Sequence, residues 1–234
     1  MTELLFYNKP VPLAKDAHQN LRFQKQQGYS HASKINTVPL SGNEFFPASR
    51  DFPIMFAESG GHYIPVALLA LTAGGHQLGE SWSGFYTPEF VKRYPFALAQ
   101  GRDVVMIDES APHFSENEGE KLFDHLGEPT DFLKGVLQYL DQIDAVHKLT
   151  MEYTFALKVK GLLVKSDIEI KRQGKSIKLD DFYVVDGSEF HGALTDEEIL
   201  DWYKKGWIGW TYAHLHSIGS VSEVVKRMVS AQSE

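Results

Sequence analysis

The 234-residue sequence has no cysteine. Disulfides, thiolate nucleophiles, cysteine-ligated zinc and iron–sulfur clusters are thereby excluded, because each is built on a cysteine sulfur. Long apolar runs are missing as well. No uninterrupted stretch approaches the ~20 residues that span a bilayer. The opening MTELLFYNKPVPLAK carries neither a basic leader nor a cleavage pattern, so a cytoplasmic protein is expected. Basic charge is in deficit: Lys and Arg number 23 against 31 Asp and Glu, for a net charge of −8. Attraction to nucleic-acid phosphates or anionic lipid needs a basic footprint, and neither partner is expected. Neither G-x-G-x-x-G nor G-x-x-x-x-G-K-[ST] occurs, which removes the usual nucleotide cradles. No cofactor is expected.

What is present is a chain with 43% hydrophobic residues, enough to bury a sizeable core in one domain. Residues 1–50 are polar and interrupted by Pro10, Pro12, Pro39 and Pro47. They read as an extended N-terminal arm that adds little to the core, with a single α+β domain over 51–234. From Phe52 the pattern changes to short apolar runs, FPIMFAES and HYIPVALLALTAGG, separated by Gly60-Gly61. This predicts two strands joined by a tight turn, with Pro65 at an edge or at the first position of its strand. Residues 131–160 place Leu133, Val136, Leu137, Leu140, Ile143 and Val146 at three- and four-residue spacing after Thr130, which predicts one long capped helix ended by Gly161. An alternating hairpin follows, turning at Gln173-Gly174-Lys175. A C-terminal helical cluster then opens on a capping box from Thr195 to Glu198, with a second box from Ser220 to Glu223. The fold class expected is α+β, with an antiparallel or mixed sheet, one long helix and that helical cluster.

The most distinctive stretch is WSGFYTPEFVKRYPF, residues 82–96. It concentrates Trp82, Phe85, Tyr86, Phe90, Tyr94 and Phe96 around Pro88, Pro95 and the Lys92-Arg93 pair, with Tyr63 upstream. Each large ring can remove ~150–250 Å² from water, so such density marks either a shared core or a recognition surface. Thr87 and Pro88 read as the start of a short helix that Pro95 ends, linking strand, helix and strand. Most of the rings belong to a core on this reading. Trp82, Tyr86 and Tyr94, which carry polar tips, are the candidates to line a groove.

Familiar catalytic arrangements are not met. None of the ten histidines is followed two residues later by a carboxylate, as a His-x-Asp/Glu iron triad requires. His214 and His216 diverge by ~200° on a helix; they read as core and rim residues, His214 near Trp207 and Trp210 and His216 below Tyr212. Gly79-Glu80-Ser81-Trp82-Ser83 lacks the second glycine of a nucleophile elbow. Asp196, Glu197 and Glu198 are explained by the first turn of a helix, where carboxylates meet free N–H groups. Asp108 differs, since it ends a strand next to the aromatic segment, where partial burial could adapt it for function.

YTPEFVKRYPFAL (86–98), VVMIDE (104–109), LFDHLGEPTDFL (122–133) and ILDWYKKGWIGWTYAHLHSI (199–218), in this order, resemble the SapC family of bacterial proteins. The similarity extends over about residues 52–229, and its most specific part is the RYPF core at 93–96 followed by Ile107-Asp108. The family name implies a link to surface-layer biogenesis or export, and no catalytic residue set comes with it. Trp82-Ser83-Gly84-Phe85 stands where relatives often carry an acidic turn. A non-catalytic binding or accessory protein of the SapC type is therefore expected, capturing a peptide, a partner protein or a small anionic ligand. Its binding residues would be Trp82, Tyr86, Arg93, Tyr94 and Asp108, with Arg93 as anionic anchor and no metal. The alternative is a metal-dependent oxygenase or hydrolase whose site is assembled from dispersed histidines and carboxylates.

Overall fold

A computed structural model describes residues 4–26, 28–71, 75–76, 78–99, 104–166, 168–172 and 175–230. Gln173 and Gly174 of the expected hairpin turn lie outside the described residues. From the N-terminus come β1 (Pro10–Pro12), α1 (Lys15–His18), β2 (Arg22–Phe23), β3 (Thr37–Pro39) and α2 (Phe45–Ser49). The hairpin of β4 (Ile54–Ser59) and β5 (His62–Leu68) precedes α3 (Glu89–Lys92), β6 (Phe96–Leu98) and β7 (Val105–Asp108). Two short strands, β8 (Phe114–Ser115) and β9 (Glu120–Lys121), lead into α4 (Asp131–Val159). Next are β10 (Leu163–Lys165), β11 (Glu169–Arg172), β12 (Lys175–Lys178) and β13 (Phe182–Val185). The described chain ends through α5 (Gly187–Phe190), α6 (Asp196–Lys204), α7 (Trp207–Ser217) and α8 (Val221–Ser230). The fold is α+β with antiparallel pairing, one long helix and a C-terminal helical cluster.

The chain forms two compact units that interleave in sequence. The first combines Met1–Ala32 with Glu89–Ala145, the second Ser33–Pro88 with Val146–Glu234. One boundary therefore falls inside the aromatic segment, between Pro88 and Glu89, and another inside α4.

In the first unit the strand order β1-β7-β6 makes one sheet and β8-β2-β9 another. Phe96, Ile107, Leu122, Phe123, Leu133 and Leu140 form its core. Leu133 and Leu140 are seven residues apart and so share one face of α4, which is the amphipathic signal read from the sequence. Thr130 caps this helix, its Oγ1 accepting from the Leu133 N–H at 3.3 Å. Gly161 follows the helix in the left-handed region, at φ 67°.

The second unit holds the sheet β10-β13-β4-β5-β3 and the β11-β12 hairpin. Gly60 and Gly61, at φ 57° and 80°, make the β4–β5 turn. Pro65 lies in the middle of β5 opposite Phe56, rather than at its start. It is tolerated there because β3 pairs only with residues 66–68, so no ladder partner requires an N–H at position 65. The Pro65 carbonyl still accepts from the Leu40 N–H at 2.9 Å. The aromatic segment does link strand, helix and strand, but β5 and β6 belong to different sheets.

Two local expectations are corrected. The first 50 residues contribute substantially to the core: Phe6 and Tyr7 are buried in the first unit, and Val38, Leu40, Phe45 and Ala48 in the second. The contribution is concealed because the apolar residues stand in short groups between prolines, without a regular period. Ser220 belongs to a 3-10 turn (Ile218–Ser220) that leads directly into α8, and its hydroxyl donates to the Ser49 carbonyl at 3.2 Å. His214 is buried and His216 exposed, core and rim residues as expected, and His214 packs edge-on against Phe56 with centroids 4.9 Å apart.

Candidate functional site

Asp108 ends β7 with 0% of its surface exposed. Its Oδ1 accepts from the Lys9 N–H at 3.0 Å, the Ser110 N–H at 3.1 Å and the Ser110 hydroxyl at 2.6 Å. Its Oδ2 accepts from the Asn8 N–H at 2.9 Å and the Tyr94 hydroxyl at 3.0 Å. Burial alone would raise the carboxyl pKa, but the donors from Ser110, Asn8, Lys9 and Tyr94 outweigh it and hold the group below its ordinary value. Five donors exhaust the roughly four lone-pair sites of a carboxylate. Asp108 thus ties the N-terminal segment to the β7 end and to Tyr94.

Tyr94 is also buried. It stacks on His31 at 4.1 Å and meets Phe6, Tyr7 and His113 edge-on at 5.8, 5.2 and 5.2 Å. Burial and the adjoining Asp108 raise its pKa. Tyr7 donates to the Phe96 carbonyl at 2.8 Å. Its phenol is pushed up to about 12 by burial, against the opposing pull of Arg93. Arg93 is half-buried, its guanidinium 4.0 Å over the Phe90 ring, a cation–π placement favourable by ~0.5–2 kcal/mol. His31 Nε2 donates to the Val91 carbonyl at 3.2 Å, and burial depresses its pKa to about 4. His113 is lowered by burial as well.

Trp82 and Tyr86 lie in the second unit. Trp82 is 1% exposed and packs edge-on to His76 at 4.8 Å and Phe52 at 6.3 Å. It has φ 49°, a region that costs a residue with a Cβ ~1–2 kcal/mol; burial of the indole offsets that strain. Tyr86 is half-buried, its hydroxyl donating to Glu44 at 3.0 Å and its N–H to Asp51 at 2.7 Å. Of the five residues singled out from the sequence, the structure joins Tyr94 directly to Asp108 and sets Arg93 over Phe90 in the same unit. Trp82 belongs to a different ring cluster, with Phe52 and Phe85, and Tyr86 lies in that same second unit.

Sequence reasoning missed Tyr7, His31 and Glu44, which complete these clusters. Each comes from the segment read as an arm, where no regular apolar period marks the residues that fold inward. The alternative of a metal centre can be compared with the histidine geometry. Among the described residues no three of His, Asp or Glu come together as a metal site. His31 and His113 approach within 6.4 Å between centroids, and the nearest buried carboxylate, Asp108, is filled by its five donors.

The RYPF strand entry and the Asp108 strand end are thus one hydrogen-bonded assembly, which accounts for the two being read together as the most specific part of the resemblance. A family model, SapC, matches residues 13–224. The chain belongs to the SapC family. The match begins well before residue 52, and it includes α1 through β3. No curated protein and no solved structure matches this SapC-family chain. No helix among the described residues is long and apolar enough to cross a membrane.

Proposed function

We propose that this SapC-family chain is a non-catalytic binding or accessory protein of the cytoplasm, which captures a protein or peptide partner or a small anionic ligand through the aromatic segment at 82–96. The observation that supports this reading is Arg93: a half-buried guanidinium resting on Phe90 and adjoining Tyr7. A cation held against rings loses little freedom when it meets a carboxylate, and Arg is the residue best suited to such paired contacts. Tyr94 and Asp108 serve this reading by holding the rings beneath Arg93, since their polar atoms are engaged with each other and with the N-terminal segment. In the second unit the half-buried Tyr86 offers a ring, whereas Trp82, 1% exposed, must be uncovered to do so. The acidic net charge of −8 disfavours nucleic acid as the partner.

Affinity capture with the full chain immobilised, and with Arg93→Gln beside it, tests the proposal. The wild-type column should retain a partner or anionic metabolite that the folded variant releases. Identical retention by both columns would remove Arg93 from the binding surface.

A further inference from the structure

In the second unit, Arg227 of α8 reaches the ring cluster of the aromatic segment from more than 130 residues away in sequence. Its guanidinium lies 5.1 Å from the Phe85 ring centroid and 5.5 Å from that of Phe52. Its Nη1 donates to the Asp51 carbonyl oxygen at 3.3 Å. Its Nε and Nη2 are buried and have no hydrogen-bond partner among the described residues. The two carboxylates near enough to act on Arg227, Asp51 and Glu223, have partners of their own: Asp51 is held by Arg50 at 3.1 Å and by the Tyr86 N–H at 2.7 Å, and Glu223 pairs with Lys226 at 2.6 Å.

Nε and Nη2 form one edge of the guanidinium fork, the pair of parallel N–H groups that a carboxylate accepts side-on. Leaving both unmade in a buried site is costly, because each N–H has lost its water without gaining a partner. Trp82, which packs on the same Phe52 ring at 6.3 Å, holds a left-handed conformation at φ 49°, and strain of this kind gathers at ligand sites. The cover over the guanidinium is Phe85, in a loop whose Ser83 and Gly84 are exposed.

We propose that Arg227 is a carboxylate-binding site, taking the carboxylate of a small aromatic acid on its Nε–Nη2 edge, with the Phe52, Phe85 and Trp82 rings receiving the apolar part. Phe85 turns outward to admit the ligand. The inference rests on the reading of the aromatic segment as a binding surface and gives it a ligand class.

The probe is phenylacetate, titrated into the full chain with ¹⁵N-labelled arginine while the Nε–H signals are followed. Inorganic phosphate and the neutral phenylacetamide are titrated in parallel. A ligand of this size should bind in the millimolar range and shift the one Nε–H signal that is missing from Arg227→Lys. That variant keeps the charge but loses the fork, and its affinity should fall about tenfold. The wild-type titration alone decides the matter should the variant fold poorly. An unmoved Arg227 signal, or an equal shift with phenylacetamide or phosphate, overturns the assignment. If Arg93→Gln abolishes partner capture while phenylacetate leaves Arg227 untouched, the binding reading stands and this inference falls. If phenylacetate moves Arg227 while Arg93→Gln captures as wild type does, the carboxylate site stands without Arg93.

Discussion

His214 shows how a single buried side chain can complete a sheet. Its Nδ1 donates to the Ile54 carbonyl at 2.8 Å, and its Nε2 accepts from the Val185 N–H at 3.0 Å. Tyr183 pairs with Phe56 in the β13–β4 register, so Val185 and Ile54 are the next rung, and the imidazole occupies it in place of a direct bond. Ser217, one turn later on α7, accepts the Ile54 N–H at 2.9 Å. This role demands a neutral ring, and burial lowers the His214 pKa from 6.5 to about 4. The unfolded chain therefore takes up its proton first on acidification. The stabilisation is complete above pH 6.5, declines as pH falls toward 4, and changes no further below that. Its size is about 3 kcal/mol. Denaturant unfolding at pH 7, 5.5 and 4.5 should show this loss, and His214→Gln should flatten it, leaving the parallel contribution of His31. Asp108 acts in the same direction at lower pH, because its depressed pKa makes its contribution present at neutrality and lost as the carboxyl protonates. Asp108→Asn turns one acceptor into a donor facing other donors and should cost on the order of 2–4 kcal/mol, measurable as a lower unfolding midpoint. A loss below 1 kcal/mol would refute the role given to this carboxylate.

Among the elements, α4, the β4–β5 hairpin and α6 were legible because periodicity, paired glycines and a capping box are local signals. The capping box of α6 forms as read, with Glu198 accepting from the Thr195 N–H at 2.9 Å and Thr195 from the Glu198 N–H at 3.3 Å. Pro65 and Ser220 were misplaced because their tolerance depends on neighbours distant in sequence. Two glycines separate the local from the tertiary cause. Gly161 has φ 67° and open space around a would-be Cβ, so Gly161→Ala should cost only the backbone strain, ~1 kcal/mol. At Gly42 a Cβ would fall 2.4 Å from the buried Trp210 ring. Gly42→Ala must displace an indole packed on Tyr153 at 5.5 Å, and should cost about 2–3 kcal/mol. Thermal unfolding of the two variants should separate clearly; equal shifts would show that Trp210 yields without cost.

At the scale of the whole molecule, each compact unit is assembled from two stretches of chain that are far apart in sequence. Removing residues 1–9 deletes Phe6 and Tyr7, which are buried, and two of the five donors to Asp108. Hydrogen exchange should then accelerate first in β6 and β7, the strands that Asp108 and Tyr94 secure. Unchanged protection there would mean that the N-terminal segment is dispensable to the first unit.

The sequence by itself determined the α+β class, the long helix, the family and the exclusion of sulfur chemistry, because these depend on composition and on patterns within a few turns of chain. It also indicated that most rings of the aromatic segment would be core. Only the tertiary structure decided that Asp108 is filled by five donors, that His214 stands in for a rung of the sheet, and that Arg227 adjoins Phe52 and Phe85. Each of these depends on hydrogen-bond geometry or ring contact between residues brought together by folding, and neither distance nor direction between such residues is encoded in their spacing along the chain.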